Sequence, residues 1–456
     1  MSHRSNRTIA MTTLGCKVNQ SDSDEWLRQF AARGYEIVDF GAVADAYIVN
    51  TCTVTHVADR KSRQLLRQAR RQNPAALVVA TGCYASVAPD ELARMVEVDL
   101  VVTDSDKPRL TDLVHDALEG EDEQPLEALT GALRVFGPRH RAFVKVSDGC
   151  DKFCAFCIVP YARGRTRSVD PESVLAKVRT LVDGGYREVV LTAVHMGNYG
   201  HDLHPSTTLQ NLIRRVLEET AVERLRISSI EPEDFDDNLL PLWQDRRLCR
   251  HFHLALDSGC DATLDRMRRR YRAADFAALL QRIRTAVPDV AITTDVMVGF
   301  PGETDAEFET SCQFVDNQDF ALIHVFPYSA RRRTLASKLA NQVDPEEKRR
   351  RTDVMLDIAA HSADRFRHRF VGRTLDVLFE QRIPVTVAQP GRFTWEGLTD
   401  NYVRVKVTTD RDLANAVAAV RVENIVEDGV IGEIVGSPKD RSPARPVFPD
   451  LTSASR

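Results

Sequence analysis

The chain has 456 residues, of which 28% are charged and 43% hydrophobic, and its formal net charge is −5. This composition reads as soluble and globular, and at this length about two to four domains are expected. There is no run of about 18 apolar residues to span a membrane, and any nucleic-acid contact must come from local basic patches rather than a global field.

The N-terminal residues MSHRSNRTIAMTTLG contain no apolar core of signal-peptide length. The expected location is the cytoplasm, where thiols stay reduced. Nine cysteines in that setting point to metal ligands more than to disulfides.

Residues 7–15 alternate as a strand, and Cys16 follows directly. Asn19 or Ser21 is suited to cap the helix that continues through Phe30 to Gly34. Residues 46–50 form a second buried strand with Cys52 just past it, and a basic helix near 57–72 carries Arg60, Lys61 and Arg63. Residues 77–81 form a third strand closed by Cys83. A helix near 87–95, a strand at 100–103 and a helix at 110–118 complete an alternation that predicts a parallel sheet. Cys16, Cys52 and Cys83 each lie past the C-terminal end of a strand, the edge where open α/β sheets bind ligands. Three thiols meeting there read as ligands of one cluster; buried core thiols are the alternative. The acidic stretch EGEDEQPLEALTGAL, residues 119–133, reads as a linker.

The stretch VKVSDGCDKFCAFCIVPYARGRTRS, residues 144–168, places Cys150, Cys154 and Cys157 as C-x3-C-x2-C after an apolar strand. Cubane iron–sulfur clusters are held by cysteine thiolates, whereas a structural zinc site closes with four ligands; a zinc knuckle or inert thiols are the alternative. No fourth local ligand follows, which leaves one iron of a cubane open. The spacing resembles the radical S-adenosylmethionine (SAM) enzymes. That resemblance implies a 4Fe–4S cluster whose open iron chelates SAM and whose electron splits it to a 5′-deoxyadenosyl radical.

Six strand–helix repeats follow, with strands near 142–146, 188–193, 224–229, 252–256, 291–298 and 321–326. They predict a partial (βα)6 barrel with its active residues at the C-terminal strand ends. By resemblance, Phe156 contacts the adenine of SAM; ordinary packing beside the cluster is the alternative. Ser229 and Glu231 are placed to bind ribose hydroxyls or the methionyl amine, with a helix cap as the other reading. Asp295 lies within a strand and is a further cofactor candidate. His195, Gly197, Asn198 and Tyr199 end another strand and are candidates to lie near substrate, with a solvated or hydrogen-bonded loop histidine as the other reading of His195. Asp257 and Cys260 stand where the family pattern has Gln and Ser, which puts contacts at that strand in question. Cys249, Cys260 and Cys312 are read as non-ligands. Basic runs at Arg163, Arg165 and Arg167, at Arg268–Arg270, at Arg331–Arg333 and at Arg349–Arg351 suit a polyanion, although each singly reads as a solvated face.

Short strand-like runs after residue 371 predict a small β-barrel of about 65 residues. Residues 371–436 hold seven Arg or Lys and ten Asp or Glu, so RNA binding there would use one face, with Arg392, Arg404, Lys406, Phe393 and Tyr402. Residues 438–456 are rich in Pro and Ser and read as a disordered tail.

TLGCKVNQ, NTCTVTHVADRKSR and TGCYA resemble the N-terminal domain of the radical SAM methylthiotransferases, and the C-terminal barrel resembles a TRAM domain. The likeness spans nearly the whole chain. It implies a methylthiotransferase domain at 6–120, a radical SAM core at 136–367 and a TRAM-like domain at 370–437. It also implies a second 4Fe–4S cluster on Cys16, Cys52 and Cys83 that holds the sulfur to be inserted. The motifs look most like the enzymes that act on N6-threonylcarbamoyladenosine at C2 in tRNA, beside the anticodon. Isopentenyladenosine in tRNA and an aspartate of a ribosomal protein are alternative substrates, and a non-catalytic RNA-binding module is the reading outside enzymes. A reducing partner such as flavodoxin or ferredoxin, and a sulfur donor, are expected.

Overall fold

The computed structural model describes residues 7–119, 140–384 and 391–436. The expected tail, and the expected linker beyond Glu119, lie outside the described residues. Among the described residues no helix is long and apolar enough to cross a membrane.

The N-terminal elements are β1 (Thr8–Thr13), α1 (Lys17–Ala32), β2 (Glu36–Val38), β3 (Ala46–Thr51), α2 (His56–Gln72), β4 (Leu77–Gly82), α3 (Cys83–Val87), α4 (Pro89–Ala93), β5 (Leu100–Val101) and α5 (Leu110–Glu119). The strands form one parallel sheet in the order β2-β1-β3-β4-β5. Alternate residues serve two cores, with Tyr47, Val49, Val78 and Ala80 on one face and Ala46, Ile48 and Val79 on the other. A sheet covered on both faces explains the continuous apolar runs AYIV and LVVA.

Three details differ from the sequence reading. Helix α1 begins at Lys17 with Cys16 as N-cap. Asn19 and Ser21 do not cap it, because the Asn19 amide donates to the carbonyls of Leu14 and Thr51 and the Ser21 hydroxyl donates to the Phe143 carbonyl. The helix expected near 87–95 is two short helices broken at Ala88, where Pro89 disfavours a helical preceding residue. Strand β2 is three residues long and lies at the sheet edge, too short for a periodic pattern to announce it.

The central elements are β6 (Arg141–Asp148), α6 (Val159–Arg163), β7 (Arg167–Ser168), α7 (Pro171–Asp183), β8 (Glu188–Ala193), α8 (Leu209–Glu219), β9 (Arg224–Ile227), β10 (Ser229–Ile230), β11 (His251–Leu254), α9 (Asp261–Met267), α10 (Ala273–Ala286), β12 (Ala291–Val298), α11 (Asp305–Asp316), β13 (Leu322–Pro327) and α12 (Pro345–His368). They form two curved sheets, β7-β6-β8-β9 and β10-β11-β12-β13. The strand expected at 224–229 passes from one sheet to the other at Ser228. All pairs except β6–β7 are parallel. Val189, Leu191, Leu225, Ile227, Phe252, Leu254, Ile292 and Val296 pack outward in the core that contains the helices. By the two-residue period of a strand, Glu188, Arg224, Arg226, His251, His253, Thr293 and Asp295 turn to the inside of the partial barrel.

The last elements, β14 (Thr374–Ile383), β15 (Phe393–Thr399), β16 (Arg404–Thr409), β17 (Val417–Val426) and β18 (Gly429–Ile434), close as a five-stranded barrel in the order β14-β15-β16-β18-β17. This barrel plugs the N-terminal ends of the central strands. Glu188 is fully buried between Arg224 at 2.8 Å and Arg226 at 2.7 Å. The two arginines also donate to the carbonyls of Leu398, Thr399 and Asp400. The Tyr402 ring stacks on His251 with centroids 4.1 Å apart. One end of the lumen is therefore sealed, and only the C-terminal strand ends remain for a ligand.

Two outcomes follow from this packing. Burial alone would raise the Glu188 carboxyl, but Arg226 and Arg224 more than offset it and hold it well below the usual carboxylate range. Its contribution is therefore present above the ordinary Glu pKa of about 4.3 and is lost as the pH falls toward the folded value. Glu188→Gln leaves two buried guanidinium groups short of an anion and is expected to cost about 3–5 kcal/mol, read as a lower urea midpoint at pH 7. Gly82 sits at φ +91°, and a Cβ there would lie 2.4 Å from the Thr51 carbonyl oxygen. Gly82→Ala is expected to destabilise by about 2–3 kcal/mol, read as a lower melting temperature.

Candidate metal and cofactor centre

The sheet order brings the three distant cysteines of the N-terminal unit to one edge. Strands β1, β3 and β4 are neighbours, and Cys16, Cys52 and Cys83 each follow one of them. A Cβ on Gly15 would come within 3.0 Å of the Cys52 sulfur, so the backbone that leads into Cys16 lies against Cys52. Burial, with the nearby Cys83 and Cys16 thiols adding to it, pushes the Cys52 thiol up to about 12. Cys52 and Cys83 are buried and Cys16 is exposed.

The second triad sits on the loop after β6. Gly149 at φ +74° turns the chain so tightly that a Cβ would lie 1.9 Å from the Arg165 carbonyl oxygen. The loop is fixed by the Ala155 N–H donating to the Met267 carbonyl and the Ala336 N–H donating to the Ala155 carbonyl. The Lys152 N–H points at the Cys150 sulfur at 3.5 Å. Burial raises the Cys154 thiol to about 11 against the pull of Arg269, and raises Cys157 and Cys150 as well. Thiols of this kind ligate metal only when they lose their protons, so binding and deprotonation are coupled.

The Arg163 side chain joins the N-terminal unit to the barrel. It belongs to α6, six residues after Cys157, and is 1% exposed. Its Nε donates to the Cys83 sulfur at 3.3 Å and its Nη1 to Asp148 at 2.7 Å. Its Nη2 donates to Asn19 and reaches Asp22 at 3.5 Å. Asp22 and Asp148 are bridged in addition by Lys145. The sequence reading placed Arg163 on an RNA-facing surface. The structure corrects this: the guanidinium is buried and bonded to four protein groups.

The donor chemistry tests what each triad fits. A zinc–sulfur bond of about 2.3 Å in a tetrahedral site brings sulfurs within about 4 Å of one another. Among the described residues, only His253, Asp295 and His324 bring three ligand atoms within 4.8 Å. Neither cysteine triad is gathered that tightly. A structural zinc site closes with four ligands, whereas a set of three thiolates matches a cubane with one corner free. The remaining cysteines lie apart from this arrangement: Cys312 packs in the helical core, Cys249 lies beside Glu188 and Cys260 is the N-cap of α9.

Beside Cys154, Arg269 organises the expected SAM-side residues. It bonds Asp257, holds Glu231 at 3.1 Å and lies 5.7 Å from the centre of the Phe156 ring. The Asp257 carboxyl is raised to about 6 by burial, with Arg269 opposing and Glu231 and Asp295 adding to the rise. Ser229 lies on β10 opposite His253. Asp295 is drawn toward two histidines, with His253 at 3.3 Å and His324 opposite it on β13. Of the other strand-end candidates, His195 is bonded to Asp234 at 2.7 Å and Tyr199 is buried, donating to the Val169 carbonyl. Tyr199 is therefore a structural residue and not a substrate contact.

The remaining candidate RNA contacts are scattered. Arg60 is exposed on α2. Arg165 is exposed and paired with Asp151 at 3.0 Å. On the small barrel, Arg392 donates to the Thr408 carbonyl, Arg404 pairs with Glu396 and Lys406 pairs with Asp428. Tyr402 cannot join them, because it is stacked on His251 inside the plug. Arg382 is the cation that covers Phe393 instead, 4.0 Å from the ring centre. The sequence reading passed over Arg269 and Arg331 as members of charge runs, since nothing in a run of arginines shows which one turns inward.

Comparisons with known proteins agree with this layout. Residues 8–103 match the profile described as Uncharacterized protein family UPF0004, and residues 144–315 match the Radical SAM superfamily. The chain is 36% identical over 426 residues to the threonylcarbamoyladenosine tRNA methylthiotransferase MtaB of Bacillus subtilis, covering 91% of this chain and 93% of that one. It is 37% identical to the protein of the same name from Aquifex aeolicus, covering 87% and 96%. It is 31% identical to the tRNA-2-methylthio-N(6)-dimethylallyladenosine synthase of Maricaulis maris, covering 94% and 98%. Among solved structures, the radical S-adenosylmethionine methyltransferase TsrM from Kitasatospora setae shares the fold at a TM-score of 0.52 and 17% identity, covering 70% and 73%. On identity that extends over nearly its full length, the chain belongs to the radical SAM methylthiotransferase family.

Proposed function

We propose that this enzyme transfers a methylthio group to C2 of N6-threonylcarbamoyladenosine at position 37 of tRNA, in the cytoplasm. One observation carries the reading: a sheet edge of one unit and a barrel loop of the other each present three cysteines, and Arg163, six residues after the last cysteine of the loop, is buried against Cys83 of the sheet edge. The identity to proteins named for that substrate over most of the chain supports the choice of nucleoside. The 31% identity to a dimethylallyladenosine synthase supports isopentenyladenosine as the second reading.

In this proposal Cys150, Cys154 and Cys157 hold a 4Fe–4S cluster that binds SAM, and Cys16, Cys52 and Cys83 hold a second. When bound, the first cluster supplies the electron for SAM cleavage and the second carries the sulfur. The aromatic C2–H offers no ready site to a base or nucleophile, which is why radical chemistry is required. The protein's part is to ligate, orient and exclude water. Arg163 sets a fixed cation against the Cys83 thiolate. Arg269 holds Glu231 in place beside Phe156, and Ser229 and Glu231 take the polar groups of SAM. Asp295 lines the same lumen. Residues 6–120 form the methylthiotransferase domain, 136–367 the radical SAM core, and 370–437 a TRAM-like domain. A reductant such as flavodoxin or ferredoxin, and a sulfur donor, complete the cycle.

Anaerobically reconstituted protein is expected to hold about eight irons per chain. Triple Cys→Ala changes at either triad should each remove about half. About four irons in the wild type would overturn the two-cluster reading. Mass spectrometry of tRNA nucleosides from a deletion strain should show loss of the methylthio form of threonylcarbamoyladenosine, restored by the wild-type gene. Loss of the methylthio-isopentenyl nucleoside instead would favour the second reading.

A further inference from the structure

A cleft of about 570 Å³ lies between the N-terminal unit and the barrel. Its walls carry Arg63 from α2, Arg94 after α4, and Arg331, Arg332 and Arg333 from the loop after β13. We propose that this cleft binds phosphates of the RNA backbone; the inference rests on the RNA substrate argued above.

Arg331 makes this a built site. It is 8% exposed. Its Nη2 donates to Thr53 at 2.9 Å and to Asp59 at 2.6 Å. Its Nε and Nη1 are buried with no acceptor among the described residues. Buried donors are nearly always satisfied, so these N–H groups mark a place where an acceptor comes from outside the chain. A phosphate oxygen is a strong acceptor of this kind for a guanidinium, charge-assisted and often bidentate.

The charge of the cleft fits the same ligand. Of its carboxylates, Asp59 is held by Arg331 and Glu91 by Arg63 and Tyr84, which leaves Asp90. Arg94, Arg332 and Arg333 are exposed and make no side-chain hydrogen bond or ion pair among the described residues. Arg333 has φ +74°, a region that glycine enters freely and other residues rarely adopt. A charged side chain held at that position is strain of the kind found at functional sites.

Position selects RNA over a small anion. Thr53 follows Cys52, Tyr84 follows Cys83 and Ile158 follows Cys157, and all three line the cleft. The cleft therefore borders both cysteine triads. A nucleotide whose base enters between the triads carries a phosphate on either side, and its backbone must run along this rim.

The test is binding of an anticodon stem-loop RNA to the reconstituted holoenzyme, followed by fluorescence anisotropy across a salt series. The variant Arg94→Ala/Arg332→Ala/Arg333→Gly is expected to raise Kd by about tenfold or more near 0.15 M salt, and to flatten the salt dependence by about one ion per lost phosphate contact. Arg333→Gly alone should weaken binding while melting at the same or a higher temperature, because glycine suits that backbone; this separates lost contact from lost fold. Iron content serves as the check that the clusters remain. Unchanged Kd and salt slope in the triple variant would overturn the proposal. So would a loss seen only in Arg392→Ala/Arg404→Ala/Lys406→Ala on the small barrel. Tight binding of adenosine monophosphate that is lost in the triple variant while RNA binding is kept would assign the cleft to a free nucleotide and likewise overturn it. A wild type that binds the stem-loop in this cleft but leaves it unmodified would overturn the function reading and uphold the cleft.

Discussion

The arrangement depends on a cation that has been taken out of water. Arg163 is surrounded by Asp148 of the barrel and by Asp22, Asn19 and Cys83 of the N-terminal unit. Burying a guanidinium is costly unless its donors are met, so the two units are held in the packing that satisfies it. Burial alone would disfavour the charge, but Cys83, Asp148 and Asp22 more than offset it and hold Arg163 firmly protonated. The same residue thus fixes geometry and supplies positive potential to a thiolate set.

The opposite end of the barrel uses the same physics for closure. Glu188, Arg224 and Arg226 form a buried ion triad, whose spare donors are taken up by carbonyls of the C-terminal barrel. Charges at that depth cannot face bulk water and an apolar core at once, so a plug with oriented carbonyls is the stable solution. Tyr402, stacked on His251 and 5.2 Å from the Arg226 guanidinium, completes it. The acidic excess of the small barrel suits a module that caps arginines, with Glu380 paired to Arg141 and Asp400 to Arg250. With one end plugged, the C-terminal strand ends are the end left to a ligand, and the helix after the β6 loop meets the N-terminal unit there through Arg163. A radical reaction needs that exclusion of water and stray hydrogen donors.

The loop after β13 supplies a second joint. Arg331 reaches Asp59 and Thr53, and the Ser329 hydroxyl accepts from the His56 N–H. This joint and Arg163 pin the seam of the two units at two points, and Arg331 is also in the wall of the arginine-lined cleft. The contacts that fix the units also shape the entry.

The sequence by itself determined the family motifs and the repeating architecture. The C-x3-C-x2-C spacing is carried by neighbours on one loop, and the alternation of apolar runs and amphipathic helices follows from local period, so both were legible. The placement of Cys16, Cys52 and Cys83 past strand ends also needed only the strands to be found. Tertiary structure alone decided which arginine of each run turns inward. Arg163, Arg269 and Arg331 look like their exposed neighbours until partners more than 70 residues away for Arg163, such as Cys83 and Asn19, are brought beside them. It also decided that Asn19 and Ser21 hold other strands in place of capping a helix, and that Tyr402 plugs a barrel. Burial and hydrogen-bond satisfaction depend on the whole packing, and a linear pattern carries no record of them.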